Sequence, residues 1–334
     1  MSGGPHVRQG PEPETEPEVE TVAIVVVTYN RADLLEPMLA GLGALDHPAD
    51  LVLVIDNAST DHTPDVLARC DLPGLEVVRT LENVGGAGGF HLGMRTAYER
   101  GVDRIWVMDD DVIPAPECLT VLLAQDEACL TSVREERDGG LVEKAATRFD
   151  LRNPLAIKPK TSMVETDFGT REAMPERVEV ENVAFEGLMV RREVVAAIGL
   201  PDPAFFIFYD DVDFALRARR VGYRIWAVRD AVLVRQLSFD QQHDLAGWKG
   251  YYMYRNLFVV HFRYGENTLV RLKPWLIALM VVLLSPLRGG RAEARNVVRA
   301  VRDARDLRAL SAEAGPGAPA RAGDVSDPAR RPPG

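Results

Sequence analysis

The feature that most narrows the fold is a repeated pairing of a short apolar run with a helically spaced segment. "TVAIVVVTYN" (21–30) is rich in β-branched residues and continuously apolar from Val22 to Val27, the pattern of a strand buried on both faces of a parallel sheet. "RADLLEPMLAGLGAL" follows, with Leu34, Leu35, Met38, Leu39 and Leu42 at helical spacing. The pairing recurs. "LVLVIDNASTD" precedes a helix candidate around "HTPDVLARC". "LEVVRT" precedes the Gly-rich "NVGGAGGFHLGMRTAYERG", a loop running into a helix, and "RIWVM" is a fourth strand. Such alternation predicts an α/β fold: a mostly parallel, Rossmann-like sheet flanked by helices.

In open α/β sheets, ligands sit beyond the carboxyl ends of the strands. The unusual polar residues collect there: Thr28, Tyr29 and Asn30; Asp56 and Asn57; Asn83; and Asp109, Asp110 and Asp111. Three successive carboxylates after an apolar strand repel one another and are costly to bury unpartnered. A hard divalent cation relieves this. Asp109 and Asp111 flank one residue, so both can reach one Mg²⁺ or Mn²⁺ whose other ligands are water and phosphate oxygens. The bland alternative is a solvated acidic turn.

The glycines of "NVGGAGGF" permit close backbone approach to an anion. The segment lacks the Lys-Ser/Thr of a phosphate-binding loop and the spacing of a dinucleotide fingerprint. Further on, "FYDDVDFALRARRVG" reads as a helix closed by Gly222, with Asp210, Asp211 and Asp213 at its start. The helix dipole favours acids there, yet a cap needs only one. A second carboxylate under Phe205, Phe206, Phe208 and Tyr209 suits a general base, its pKa raised by desolvation.

Composition limits the rest. The 334 residues, 46% hydrophobic, suffice for a large core, and a formal net charge of −11 argues against a nucleic-acid partner. Cys70, Cys118 and Cys129 are scattered without metal or disulfide spacing, which fits a reducing cytoplasm. Residues 1–20 and 311–334 read as disordered tails, and no signal peptide is expected. Residues 21–265 read as the catalytic domain and 266–310 as C-terminal helices. There, "PWLIALMVVLLSPL" is uncharged for 14 residues, shorter than the ~20 of a spanning helix. Arg291, Arg295, Arg299 and Arg302 then recur on one helical face, although Glu293, Asp303 and Asp306 dilute the charge. A peripheral contact with the inner face of the plasma membrane and a plain core-plus-surface helix pair both fit.

"VVVTYNR", "VIDNASTD", "NVGGAGGF", "MDDDV" and "FYDDVDFALRARRVGY", in this order, together resemble the family 2 inverting glycosyltransferases of GT-A fold. The resemblance covers roughly residues 22–265 and is strongest to galactofuranosyltransferases of cell-wall assembly, with polysaccharide rhamnosyltransferases near. It implies transfer of galactofuranose or rhamnose from a UDP- or dTDP-sugar to a lipid-linked or cell-wall glycan. It implies that Thr28, Tyr29 and Arg31 lie against the nucleotide, Asp56 on the base, and Asn83 and Gly86 near nucleotide and sugar. Asp109 and Asp111 match the Asp-x-Asp metal motif, Asp110 lies beside them, and Asp211 matches the catalytic base. Tyr252, Arg255 and Asn256 are implied near the acceptor side, where a core role competes.

One position departs from the pattern. Where the resemblance places a metal-binding histidine, this chain has Arg235. Either His243 substitutes, or the ion has aspartate, phosphate and water ligands alone, or Arg235 partly replaces the ion by pairing with the diphosphate. A nucleotidyltransferase would share the sheet and metal logic but would want a Gly-rich, basic loop after the first strand, where this chain reads "TYNRADLL". A non-catalytic nucleotide-sugar-binding protein would be expected to have lost Asp211 or the triple aspartate, and both are present.

Overall fold

The computed structural model describes residues 20–156, 158–237, 245–288 and 291–313. Both tails read from composition, and His243, lie essentially outside them.

The first half is built from the strand–helix pairs. β1 (Val22–Thr28), α1 (Ala32–Gly43), β2 (Leu51–Asp56), α2 (Thr63–Arg69), β3 (Leu75–Arg79), α3 (Gly85–Glu99) and β4 (Arg104–Asp109) follow in order. β1 lies between β2 and β4, and β3 borders β2, all parallel. β1 and β2 are buried along their whole length. That burial explains why their sequences are continuously apolar rather than alternating.

A short β5 (Val112–Pro114) and α4 (Cys118–Leu123) lead into β6 (Cys129–Glu135). The charged stretch 136–180 contains β7 (Arg148–Phe149), β8 (Lys160–Ser162), α5 (Val164–Phe168) and β9 (Arg177–Val180). These elements are too short and too polar to show a period. β10 (Leu188–Arg191), α6 (Arg192–Ile198), α7 (Asp210–Arg220) and β11 (Ile225–Arg235) restore regular structure. The main sheet runs β3-β2-β1-β4-β10-β6-β11-β5, with β9 on β11. Antiparallel pairing enters at β10, which sits between β4 and β6. The described residues close with three helices: α8 (Trp248–Tyr264), α9 (Thr268–Arg288) and α10 (Arg291–Glu313).

Apolar side chains cover both sheet faces, one core under α3 and α7 and another under α1, α2 and α4. The glycines of α3 belong to the first. A Cβ on Gly93 would stand 2.3 Å from Val25, and one on Gly89 2.5 Å from Val27. Helix and sheet therefore meet backbone to side chain, and much of the Gly-rich segment is helix rather than loop. A third core joins Ala87 and Phe205 to α8, α9 and α10. It fastens the C-terminal helices to the segment just before α7.

Candidate active site

The carboxyl ends of β1, β2 and β4 bring most of the sequence-predicted residues together. Thr28 pairs with Asp56 in the β1–β2 register, and Val27 with Asp109 in the β1–β4 register. Asp56 is buried; it accepts from the Ser59 backbone N–H at 2.8 Å and lies 3.5 Å from Arg79 Nε. Tyr29 is 39% exposed at the rim.

The triple aspartate turns from β4 into β5. Gln236 pins this turn. Its backbone N–H donates to the Asp111 carbonyl at 2.8 Å, and its side chain donates to the Asp110 carbonyl at 3.3 Å. Arg31 bridges two of the acids, its Nη1 standing 3.0 Å from Asp110 Oδ1 and 3.3 Å from Asp111 Oδ2. Arg235, buried at the end of β11, reaches to 4.0 Å of Asp111 Oδ2. Burial pushes the Asp110 carboxyl up to about 6, against the pull of Arg31 and the Thr28 hydroxyl. Asp109 is held well above the usual carboxylate range by burial and then by Glu186. Asp111 is raised for the same two reasons. The Oδ1 of Asp111 is buried and accepts no hydrogen bond. Among the described residues no three carboxylate, imidazole or thiol groups form a ready-made metal cage. The residues nevertheless suit a hard cation: a buried, unpartnered carboxylate oxygen and a second acid made costly by burial are relieved by positive charge.

Asn83 and Gly86 have different roles in the geometry. The Asn57 amide donates to Asn83 Oδ1 and to the Gly85 carbonyl, each at 3.0 Å, while Asn57 Oδ1 accepts from Val84 N–H at 3.0 Å. Asn83 thus spends its carbonyl oxygen on loop structure, accepting from Gly85 N–H as well at 2.8 Å. Gly85 has φ +75°, and a Cβ there would lie 2.1 Å from the Phe206 carbonyl oxygen. Only glycine permits that approach. Gly86 has open space where a Cβ would stand.

Asp211 lies half-buried in the first turn of α7, its Oδ1 accepting from Val212 N–H at 2.7 Å. Burial raises its carboxyl to about 6, with Lys160 and the Val212 N–H opposing and Glu186 assisting. Asp210 is buried and pushed well above the ordinary range by desolvation, then by Asp211. Asp213 is different. It is saturated by Arg217 Nε (2.9 Å), Arg263 Nη1 (2.9 Å) and Tyr264 OH (2.6 Å). Burial opposes its ionisation, but Arg217 and Arg263 outweigh it and hold the pKa down. Asp213 is a structural anion.

The segment before Asp211 is strained. Phe206, Phe208 and Tyr209 have φ of 63°, 66° and 66°, each costing roughly 1–3 kcal/mol for a non-glycine residue. α8 holds it in place. Asn256 Nδ2 lies 3.0, 2.7 and 2.9 Å from the carbonyls of Phe205, Ile207 and Phe208. Arg255 donates to the carbonyls of Ala204 and Phe205, and Tyr252 stacks on Phe206 at 5.0 Å. Tyr252, Arg255 and Asn256 are all buried. Their contacts are those of a clamp on the backbone, the core role that competed in the sequence.

Glu186 was not singled out from the sequence. It precedes β10, its side chain 17% exposed and ion-paired to buried Arg134, which also binds Glu143 at 3.0 Å. Although burial opposes its ionisation, Arg134 and Arg235 hold Glu186 below its usual pKa. Its charge is felt by Asp109, Asp111 and Asp211 alike. A lone Glu between apolar residues carries no sequence signal; only the fold brings it here.

The family description "Glycosyl transferase family 2" matches residues 23–195. Galactofuranosyltransferase GlfT1 of Mycobacterium tuberculosis (strain H37Rv) is 31% identical over 228 residues, covering 66% of this chain and 72% of the relative. The dTDP-rhamnosyl transferase RfbF of Shigella flexneri is 24% identical over 246 residues, covering 71% and 78%. Among solved structures, mannosyltransferase PcManGT from Pyrobaculum calidifontis, in complex with GDP-Man and Mn²⁺, superposes with a TM-score of 0.50 at 22% identity, covering 91% of this chain and 82% of that one. The matched residues 23–195 span just over half of the 334, and the chain therefore belongs to glycosyl transferase family 2, a glycosyltransferase of GT-A fold.

Proposed function

We propose that this chain moves galactofuranose, or alternatively rhamnose, from a UDP- or dTDP-sugar to a hydroxyl of a lipid-linked or cell-wall glycan, with inversion at the anomeric carbon. The observation carrying this reading is the pairing of a buried, divided acidic cluster at the β4 end with a second acid, Asp211, whose pKa is raised to about 6. The names of the relatives support the choice of sugar.

In this reading Thr28, Tyr29 and Arg31 border the nucleotide, Asp56 accepts from the base, and Gly86 leaves room for donor atoms. Asp109 and Asp111 would hold Mg²⁺ or Mn²⁺ beside the diphosphate. That ion supplies neutralisation of charge developing on the leaving group. Arg31 and Arg235 add fixed positive charge on the same side, and a guanidinium can pair with a phosphate by two parallel bonds. Asp110 orients Arg31. Of the three ligand alternatives, this geometry favours an ion held by aspartate, phosphate and water with Arg235 in support; His243 lies outside the described residues.

Asp211 takes the proton from the acceptor hydroxyl as its oxygen attacks the anomeric carbon. The bond to the nucleoside diphosphate breaks on the opposite face, and no covalent sugar–enzyme bond is formed. A carboxylate with pKa about 6 is ionised at neutral pH yet more basic than an exposed aspartate, which favours proton transfer.

The test is a donor panel. UDP-galactofuranose, dTDP-rhamnose and UDP-N-acetylglucosamine are each incubated with the protein, Mn²⁺ and a synthetic lipid-linked galactoside or rhamnoside acceptor, and products are read by mass spectrometry. Transfer from UDP-galactofuranose supports the first reading and transfer from dTDP-rhamnose the second. Transfer from the N-acetylglucosamine donor alone would overturn both.

A further inference from the structure

α9 presents nine large apolar side chains to solvent: Leu269, Leu272, Trp275, Leu276, Leu279, Met280, Val282, Leu283 and Leu284, between 36% and 62% exposed. Monomeric soluble proteins rarely leave so continuous an apolar patch uncovered. The opposite face of the helix is fully engaged. Val270, Ala278 and Val281 are buried, the last two in the core shared with α8 and α10. Buried Lys273 donates to the carbonyls of Asn153 and Ala156 at 2.6 and 2.7 Å.

We propose that the outer faces of α9 and α10 form a docking surface for an anionic lipid bilayer, with α9 lying in the plane of the headgroups. Three observations select this occupant. First, α9 is as long and apolar over Thr268–Ser285 as a membrane-crossing helix, yet one face is bonded to the protein body. Its uncharged run of 14 residues is about 21 Å long, short of the ~30 Å hydrocarbon core. With Lys273 and the buried face bonded to the protein body, the helix is placed to lie along a bilayer rather than through it.

Second, in a chain of net charge −11, α10 exposes Arg291, Arg295, Arg299, Arg302 and Arg305. Of the three acids that dilute this charge in the sequence, two are turned inward and Asp306 is exposed. Glu293 is buried and accepts from Tyr254 OH at 2.6 Å; Asp303 accepts from Tyr251 OH and pairs with Arg299. α8 packs against both helices; Arg299 leans over the Tyr251 ring of α8 at 4.6 Å, while Arg291, Arg295, Arg302 and Arg305 and the apolar face of α9 are exposed. Apolar and cationic faces side by side are the make-up of an interfacial helix.

Third, a second copy is a poor alternative. A two-fold contact through this surface would bring one arginine row toward another, and like charges across an interface are repulsive. The proposal does not depend on which sugar is transferred.

The experiment is co-sedimentation of the full chain with vesicles of phosphatidylcholine alone or mixed with phosphatidylglycerol. Wild type should pellet with the mixed vesicles, weakly with the neutral ones, and less as salt is raised. Leu276→Asp/Leu279→Asp should bind the mixed vesicles at least about tenfold more weakly, from lost apolar burial. Arg295→Glu/Arg302→Glu should lose at least about thirtyfold, since each basic residue near an anionic surface strengthens binding about fivefold. Unchanged thermal unfolding and UDP binding in both variants would show that they are folded. Pelleting of either variant equal to wild type would overturn the proposal. So would a wild-type dimer, seen by light scattering, that Leu276→Asp/Leu279→Asp dissociates while wild type ignores vesicles.

Discussion

The side-chain amide of Asn256 lies 2.9 Å from the carbonyl of Phe208, three residues before Asp211. The same nitrogen reaches the carbonyls of Phe205 and Ile207. One amide of α8 thereby holds a backbone that three left-handed aromatic residues would otherwise unwind. Asn256→Ala is expected to lower kcat by about 10- to 100-fold through misplacement of Asp211, with UDP affinity nearly unchanged. Its stability should fall by about 2–3 kcal/mol, because buried carbonyls lose their donor. Steady-state kinetics with nucleotide titration checks this; an equal loss of UDP affinity would mean the loop serves the donor instead.

Arg31 neutralises Asp110 and Asp111 together. Arg31→Ala should lower the melting temperature of metal-free protein, since two adjacent buried carboxylates are left facing each other. Added Mn²⁺ should then restore more stability to the variant than it gives wild type, because binding to the native state alone stabilises it. Thermal shifts with and without Mn²⁺ provide the comparison. An identical Mn²⁺ response in both proteins would disconnect Arg31 from the cation site.

The Asp211 carboxyl, raised to about 6 by burial, sets the acid limb of the rate profile. Activity should climb as pH rises through about 6 and then level off. Asp211→Asn should remove about 10²- to 10⁴-fold of the rate, the range expected of a general base, while leaving UDP binding intact. Glu186→Gln removes a negative neighbour, so the limb should move to lower pH. A limb unmoved by Glu186→Gln would break the electrostatic link between the two residues.

Stability carries its own pH signature. Asp110 and Asp211 both have folded pKa values of about 6, above the usual carboxylate range. Their stabilising contribution is fully present below pH ~4 and is lost as pH rises through about 6. Asp61, Asp103 and Asp213 are lowered, all three against opposing burial. Their contribution is present above about pH 4 and is lost below it. Between about pH 5 and 7 the loss from Asp110 and Asp211 is opposed by His91 and His261, which burial holds below the usual imidazole range and which therefore add stability as pH rises; metal-free wild type should accordingly lose stability relative to Asp110→Asn across that window. Denaturant unfolding across this range measures it.

Much of this arrangement was legible in the sequence. The strands of the first half announce themselves because they are buried on both faces, and their polar ends mark the ligand side. Residues 130–180 were illegible because β7, β8 and β9 are two to four residues long, too short for a period to register, and the buried seven-residue β6 was missed with them. The Gly-rich segment was read as an anion loop, whereas Gly89 and Gly93 are small because Val27 and Val25 press on them. Nor could sequence tell Asp211 from Asp213 by residue type. Arg263 and Tyr264, fifty residues away, make the difference. The inward turn of Glu293 and Asp303 was hidden likewise, since it depends on tyrosines of α8.

The most direct test of the central claim is calorimetric titration of UDP and dTDP into wild type and Asp109→Ala/Asp111→Ala, with and without Mn²⁺. The acidic cluster is predicted to bind one of these nucleotides in wild type only when Mn²⁺ is present, and the double variant to lose that binding while remaining folded. Equal, metal-independent binding by both proteins would contradict a cation site at the end of β4 and shift the diphosphate to Arg31 and Arg235.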